Sequence, residues 1–313
     1  MRVDALLHLY PPAHCGGADM MLHAMFRALT ERDHQVHVWL THPGKQSAQY
    51  ALDGVVVHPT GTGEPDWQRV DVIVSHLQNV SSAVRIAGKH SQPFVNVVHS
   101  TRPHSRKTLD HPAALLVYNS EWVAAELGHR GNSIVIRPPV HAADYKTRSG
   151  GKVCLVNLNA AKGGHLFWNL AETMPDVTFL GVLGSYGEQI VRELPNVELR
   201  EHGTDMRAVY RSSRIVLMPS RYESWGRVGV EAMASGIPVL AHPTPGLRES
   251  LGEAGIYLDR DQPDAWVTAI RELLEQPARW RAASSKARAR SAQLDPTEDL
   301  ARWCAAIEAL ARK

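Results

Sequence analysis

Cysteine is scarce in this chain. The three cysteines in 313 residues, Cys15, Cys154 and Cys304, are far apart and form no C-x-x-C. That excludes a disulfide framework and a cysteine zinc site, and it makes a reducing compartment the default. An excess of either charge is also lacking: Lys+Arg 34 against Asp+Glu 32 leaves a formal charge of +2. A dedicated nucleic-acid binder would carry a large basic excess, although an enzyme can meet nucleic acid through one local patch. No apolar run reaches the ~18 residues of a membrane-spanning helix. The longest, such as Ile215–Pro219 and Ala113–Tyr118, are strand-sized. The N-terminal run Val3–Leu9 is interrupted by Asp4 and His8, and no small-residue cleavage site follows. It therefore reads as a first core strand rather than a signal peptide, and a cytoplasmic protein without integral membrane association is expected. Hydrophobic residues at 44% and charged residues at 21% exclude disorder, collagen-like repeats and a coiled coil. At about 150 residues per domain, the length favours two domains.

What is present is a β-α alternation. Short apolar runs recur at Val3–Leu9, Val36–Leu40, Val55–Val57, Val72–Val74, Phe94–Val98, Leu115–Tyr118 and Ile134–Ile136. A second series follows at Val153–Leu158, Val177–Val182, Val197–Leu199, Ile215–Pro219, Ile237–Ala241 and Gly255–Leu258. Amphipathic segments such as Met20–Leu29, Ser81–Lys89, Trp122–Arg130, His165–Met174 and Ala265–Leu274 lie between them. Continuous apolar strands separated by helices are the pattern of parallel sheets covered on both faces. The alternation restarts after the polar segment Lys146-Thr147-Arg148-Ser149-Gly150-Gly151, which has linker chemistry. The expected class is therefore α/β, with two Rossmann-like doubly wound domains at 1–146 and 151–290. A terminal segment, 291–313, should hold a helix with Asp295 as N-cap and Pro296 at its first position. Trp303, Ile307 and Leu310 share one face of that helix and need burial, which a return to the N-terminal domain would provide.

The most informative stretch runs from Met218 to Val239. A buried strand ends at Pro219-Ser220, a loop carries Glu223, Trp225-Gly226 opens a helix bearing Arg227, Val228 and Glu231, and Gly236 stops it. In a doubly wound sheet ligands bind outside the carboxyl ends of the strands, where this loop falls. N–H groups at the helix N-terminus suit a phosphate. Two carboxylates eight residues apart would straddle it and accept hydrogen bonds from sugar hydroxyls on either side. Alone, two such glutamates are a solvated face; the strand–loop–helix–strand context sets this pair apart.

The pattern Pro-Ser-x-x-Glu-Ser-Trp-Gly-x-x-x-x-Glu-Ala-Met-Ala-x-Gly-x-Pro-Val resembles that of the retaining GT-B glycosyltransferases of family 4. The resemblance implies two Rossmann-like domains with a cleft between them and a nucleotide-diphosphate sugar as co-substrate. No cofactor or metal is implied. Glu223 would hold hydroxyls of the donor sugar, Glu231 the ribose, and the amides of Trp225, Gly226 and Val228 the sugar and phosphates. Cys15-Gly16-Gly17 is similar to the family's glycine loop near the donor phosphates, where a Cβ would block backbone approach. His99, after Val97-Val98, corresponds to a histidine near the reacting carbon, and Lys162-Gly163 to the lysine that meets the diphosphate. Val117–Trp122 and Ile136–Val140 also resemble family segments.

One departure concerns the diphosphate. The family pattern places an arginine five residues before that lysine, where this chain has Asn157. A metal-free site needs cations for the leaving group, and Arg227, Arg102 and Arg137 are the candidates to supplement Lys162. Asp259-Arg260-Asp261 is formally a D-x-D, the metal–nucleotide signature of the other large glycosyltransferase fold, but its place before a helix at Pro263–Leu274 reads as turn and capping chemistry. Among the 17 histidines there is no His-Glu-x-x-His, and His34-x-x-His37 falls in a turn entering a strand, so no metal site is expected. The acceptor is a hydroxyl of a glycan, a metabolite or a hydroxylated nucleobase in DNA. The last is prompted by the basic cluster Arg102, Arg106 and Lys107. The alternative, suited by Asn157, is a non-catalytic nucleotide-sugar-binding or partner subunit of the same fold.

Overall fold

The computed structural model describes every residue except Lys45, His202, Thr204 and Lys313. It divides into two units, residues 1–139 with 296–313, and residues 140–295.

The first unit holds β1 (Arg2–Leu7), β2 (Gln35–Leu40), β3 (Tyr50–Leu52), β4 (Val55–His58), β5 (Val72–His76), β6 (Phe94–Val98), β7 (Leu115–Tyr118) and β8 (Ser133–Val135). The strand order is β3-β4-β2-β1-β5-β6-β7-β8, and every pairing is parallel except β3 with β4. Of that edge hairpin only β4 was among the expected runs, as Val55–Val57; β3 was not. Its turn is Asp53-Gly54, both at positive φ (47° and 81°), the geometry in which an Asp-Gly pair joins two strands without splaying them. Asp4, which breaks the apolar run of β1, is fully buried, and it accepts hydrogen bonds from Arg2 at 2.8 and 2.9 Å and from the Trp39 indole at 2.8 Å. A carboxylate is tolerated inside this sheet because both its oxygens are satisfied. The helix expected over Trp122–Arg130 spans Glu121–Leu127 and stops where Gly128 turns left-handed at φ 90°.

The last helix, Thr297–Ala311, belongs to this first unit. Leu300, Trp303, Cys304, Ile307 and Leu310 enter the core beside Met21, Met25 and Leu29, and the Trp303 indole N–H donates to the Met25 carbonyl at 2.8 Å. Pro296, rather than Asp295, stands at the cap position, one residue later than expected.

The second unit holds β9 (Lys152–Val156), β10 (Phe179–Val182), β11 (Val197–Arg200), β12 (Ser213–Met218), β13 (Val239–Ala241) and β14 (Gly255–Tyr257), all parallel, in the order β11-β10-β9-β12-β13-β14. It begins at Val140, ahead of the polar segment expected as the linker. The physical reason is the short helix Ala142–Tyr145: the Tyr145 hydroxyl accepts from Arg227 at 2.9 Å, and its carbonyl accepts from Ser235 at 3.0 Å. The Arg- and Ala-rich tract after Pro277 is one helix, Pro277–Gln293, so the unit runs to Asp295 rather than to 290.

Trp303→Ala should lower stability by about 3–5 kcal/mol, the usual cost of deleting a fully buried large aromatic ring. Trp303→Phe, which keeps one six-membered ring but loses the pyrrole part and its bond to Met25, should cost less, about 1–3 kcal/mol. Urea unfolding of the three proteins checks the ranking.

Candidate active site

Strand order reverses in the second unit between β9 and β12, since β10 lies on one side of β9 and β12 on the other. Loops leaving the carboxyl ends of two such strands diverge and open a crevice. The turn after β9 carries Asn157 and Lys162; the loop after β12 carries Glu223 and Trp225.

Glycines bring these loops together. Gly163 adopts φ 99°, and a Cβ there would stand 2.4 Å from the Pro219 ring, so only glycine lets the lysine turn lie against the end of β12. The Lys162 ammonium then forms an ion pair with Glu223 Oε1. The same oxygen accepts from the Ser220 hydroxyl at 2.8 Å, while Oε2 has no hydrogen-bond partner among the described residues. Burial works against the Lys162 charge, but the Glu223 carboxylate and the nearby Tyr186 hydroxyl outweigh it and hold its pKa above the ordinary value. The Glu223 loop is in turn covered by the helix Pro245–Leu251. Gly246 there passes so close that a Cβ would lie 2.3 Å from the Glu223 carbonyl oxygen.

Gly226, at φ 90°, opens the helix Arg227–Ala234 with no side-chain cap, and the Gly229 N–H donates to the Gly226 carbonyl at 3.1 Å. Gly236 ends the helix at φ 67°, as expected from the sequence. Glu231, 5% exposed, accepts from Arg227 Nε at 3.0 Å on one oxygen and from the Tyr210 hydroxyl at 2.7 Å on the other. A carboxylate has about four lone-pair sites, so each oxygen can still accept another hydroxyl. Burial and then the Glu231 charge raise the Tyr210 pKa well above 10, and the same two causes push Tyr145 up to about 12. Both phenols stay protonated as donors. Tyr210 and Tyr145 were not foreseen; only spacing in three dimensions brings them to Glu231. The buried Trp225 indole N–H has no hydrogen-bond partner among the described residues.

Asn157 does not reach outward. At φ 71° its side chain turns onto the loop 184–189: Oδ1 accepts from Asn159 N at 3.2 Å and Gln189 Nε2 at 3.0 Å, and Nδ2 donates to the Tyr186 carbonyl at 3.4 Å. Two of the arginines considered as replacements are also engaged. Arg227 is held by Glu231 and Tyr145, and Arg137 by Asp299 at 2.6 Å. The D-x-D is a turn, as expected, since Asp259 Oδ1 accepts from the Asp261 N–H at 3.0 Å. His34 and His37 diverge, one to Glu308 and the other to His58. Among the described residues no three His, Cys, Asp or Glu side chains are grouped to hold a metal ion.

In the first unit, Gly16 precedes the helix Gly17–Thr30, and its Cβ position is occupied by its own neighbours: the Asp19 carboxylate would lie 2.7 Å away and the His14 ring 3.1 Å. Asp19 already places a carboxylate in the first turn, bonded to His14 at 2.7 Å. His99 follows β6, is 7% exposed, and pairs through Nε2 with His76 Nδ1 at 3.0 Å; its carbonyl accepts from Asn119 at 3.0 Å. Burial lowers the His99 pKa to about 4, and burial with the His99 charge lowers that of His76 to about 3. Both rings are neutral at pH 7, so one donates to the other and their tautomers are linked. The basic cluster lies on the helix Pro103–Thr108, where Arg106 pairs with Glu126 at 3.0 Å and donates to the Thr101 carbonyl at 2.9 Å.

Residues 169–276 match the family described as Glycosyl transferases group 1. A D-inositol 3-phosphate glycosyltransferase from Rhodococcus opacus is 41% identical over 81 residues, 25% of this chain and 18% of that protein. One from Kineococcus radiotolerans is 37% identical over 119 residues, 34% of this chain and 26% of that protein. The chain thus spans only about a fifth to a quarter of these relatives' length. In fold it is similar to Anabaena Alr3699/HepE, solved in complex with UDP-glucose (TM-score 0.81, 19% identity, 99% of this chain and 100% of that one). It is also similar to sucrose-phosphate synthase from Thermosynechococcus elongatus (TM-score 0.77, 16% identity, 96% and 97%).

The two histidine rings should stay neutral from pH 8 down to pH 5, which nitrogen-15 NMR of histidine-labelled protein checks. Their folded pKa values lie below the unfolded ~6.5, so the folded state binds fewer protons there. The stability they contribute is complete above pH 6.5 and is lost as pH falls towards 4, by up to ~1.4 kcal/mol per pH unit for each ring. The fold over nearly the whole length is thus of the GT-B kind, and residues 169–276 of its second unit match the group 1 glycosyltransferases.

Proposed function

We propose that the chain is a retaining, metal-independent glycosyltransferase that moves a sugar from a nucleotide-diphosphate sugar to an acceptor hydroxyl. The observation that carries this reading is the pair of ionically tethered glutamates, Glu231 buried and Glu223 half-buried, on either side of one helix N-terminus without a side-chain cap. Glu223 presents its unbonded Oε2 to a hydroxyl of the donor sugar, and Glu231 uses its remaining lone pairs for the ribose. The N–H groups of Trp225, Gly226 and Val228 and the Lys162 ammonium take the phosphates and the sugar. Because Lys162 and Ser220 already bond Glu223, it acts as a hydrogen-bond acceptor and not as a nucleophile.

In the proposed step the bond from the anomeric carbon to the diphosphate oxygen breaks and the bond to the acceptor oxygen forms on the same face. The acceptor proton passes to the departing diphosphate oxygen. Gly16, Gly17 and a neutral His99 are proposed to serve the same reaction from the first unit, His99 as a hydrogen-bonding group rather than a cation. The relatives' name points to a small phosphorylated polyol as one class of acceptor. The pairing of Arg106 with Glu126 favours a metabolite or glycan over DNA, since that cation is already partnered. The rival, a non-catalytic nucleotide-sugar-binding subunit, would bind donor without turning it over.

Glu231→Ala should weaken nucleoside diphosphate binding by the ~1.5–3 kcal/mol of charge-assisted hydrogen bonds, read by calorimetry. Glu223→Ala should spare nucleotide affinity and cut turnover. A Glu223 variant that loses nucleotide binding and keeps full turnover would reverse the two roles. Turnover should also survive EDTA. Loss in EDTA restored by manganese would return Asp259 and Asp261 to consideration as a metal site.

A further inference from the structure

The proposed diphosphate site as described lacks charge. Lys162 is neutralised by Glu223, Arg227 by Glu231, and Asn157 stands where the resembled pattern has an arginine. A diphosphate carries at least two negative charges, and a site that holds it needs cations beyond a balanced ion pair.

The turn that presents Lys162 is itself attached to two further arginines. Arg260 Nη1 donates to the Ala161 carbonyl at 3.2 Å and Nη2 to the Ala160 carbonyl at 3.3 Å. The Arg221 N–H donates to the same Ala161 carbonyl at 2.9 Å. Arg260 is placed firmly: its own N–H donates to His242 Nδ1 at 3.2 Å, and the Asp259–Asp261 turn is pinned by the Trp266 indole donating to the Asp259 carbonyl at 2.8 Å. The D-x-D therefore works as a mount for the arginine between its two aspartates.

Arg260 is also poorly compensated. Its side chain is 8% exposed, and the carboxylate beside it, Asp261, is 4.0 Å away and 71% exposed. Burial, and then repulsion from Arg221, lower its pKa, with Asp261 opposing. Buried charges are normally paired; here the guanidinium meets two carbonyls, one distant exposed carboxylate and the repulsion of a second arginine, and its fork suits phosphate oxygens.

We propose that Arg260, with Arg221 beside it, is the second cationic element of a diphosphate site whose first is Lys162. The pair supplies the charge that Asn157 withholds. The ligand chemistry is a diphosphate, whether carried on a nucleotide sugar or free as pyrophosphate; the first source rests on the function proposed above.

Titration calorimetry of the full chain with UDP, ADP, GDP and dTDP, with the matching nucleosides, and with inorganic pyrophosphate tests this. In Arg221→Gln/Arg260→Gln the diphosphates and pyrophosphate should bind about tenfold or more weakly, with nucleoside affinity unchanged. Arg260→Lys, which keeps the charge and loses the fork, should recover part of the loss. Arg221→Gln alone, at an exposed position, should show a smaller loss of the same kind and stands in if the double variant fails to fold. Unchanged diphosphate affinity would overturn the inference. So would equal weakening of nucleosides and diphosphates, because Arg260 would then only hold the turn. Pyrophosphate binding that depends on the arginines, with no nucleoside diphosphate bound, would uphold the anion site and overturn the nucleotide reading. Binding of none of these ligands by wild type would overturn both.

Discussion

The half-buried ion pair between Lys162 and Glu223 is the constraint on which the loops of the second unit depend. It joins the turn after β9 to the loop after β12 across the point where strand order reverses. Each charge offsets the partial desolvation of the other. Much of the local sequence serves that contact. Gly163 clears Pro219, Gly246 clears the Glu223 backbone, Ser220 satisfies the same carboxylate oxygen, and Arg260 ties down the carbonyls just before the lysine.

A second charge group is built on the same plan one helical turn away. Arg227 and Tyr210 each take one oxygen of Glu231, and Tyr145 closes the group on the far side of Arg227. Tyr145 lies just past the start of the unit, and that contact draws Val140–Lys146 into the second unit. Both glutamates are thus held in place as hydrogen-bond acceptors with lone pairs to spare. Such groups are set for binding polyhydroxylated ligands without reorganising first.

The sheets were legible in the sequence because buried parallel strands leave uninterrupted apolar runs. Every expected run overlaps a strand, and the Glu223–Glu231 segment stood out because its loop was enclosed by recognisable strand and helix signals. What escaped were features fixed by tertiary contact. Strand β3 was hidden by its three-residue length, although Asp53-Gly54 was a usable turn signal. Helix Pro277–Gln293 lacks a broad apolar face, because it buries mostly Ser284, Ala287 and Ser291. The arginine question could not be answered from spacing at all. Arg227 and Arg137 looked available in a linear reading, while Arg260 was discounted with the aspartates flanking it. Which guanidinium is already paired is a property of the fold.

The central claim is that the second unit's glutamates, lysine and arginines form a site for the donor of a sugar transfer. It is tested most directly by incubating the full chain with a panel of nucleotide sugars, without any acceptor, and measuring free nucleoside diphosphate by chromatography. Water can replace the acceptor slowly, so the assay needs no knowledge of the natural one. The expected result is slow release from at least one donor, abolished in Lys162→Ala. No release from any donor by the folded protein would contradict the claim of an active transferase.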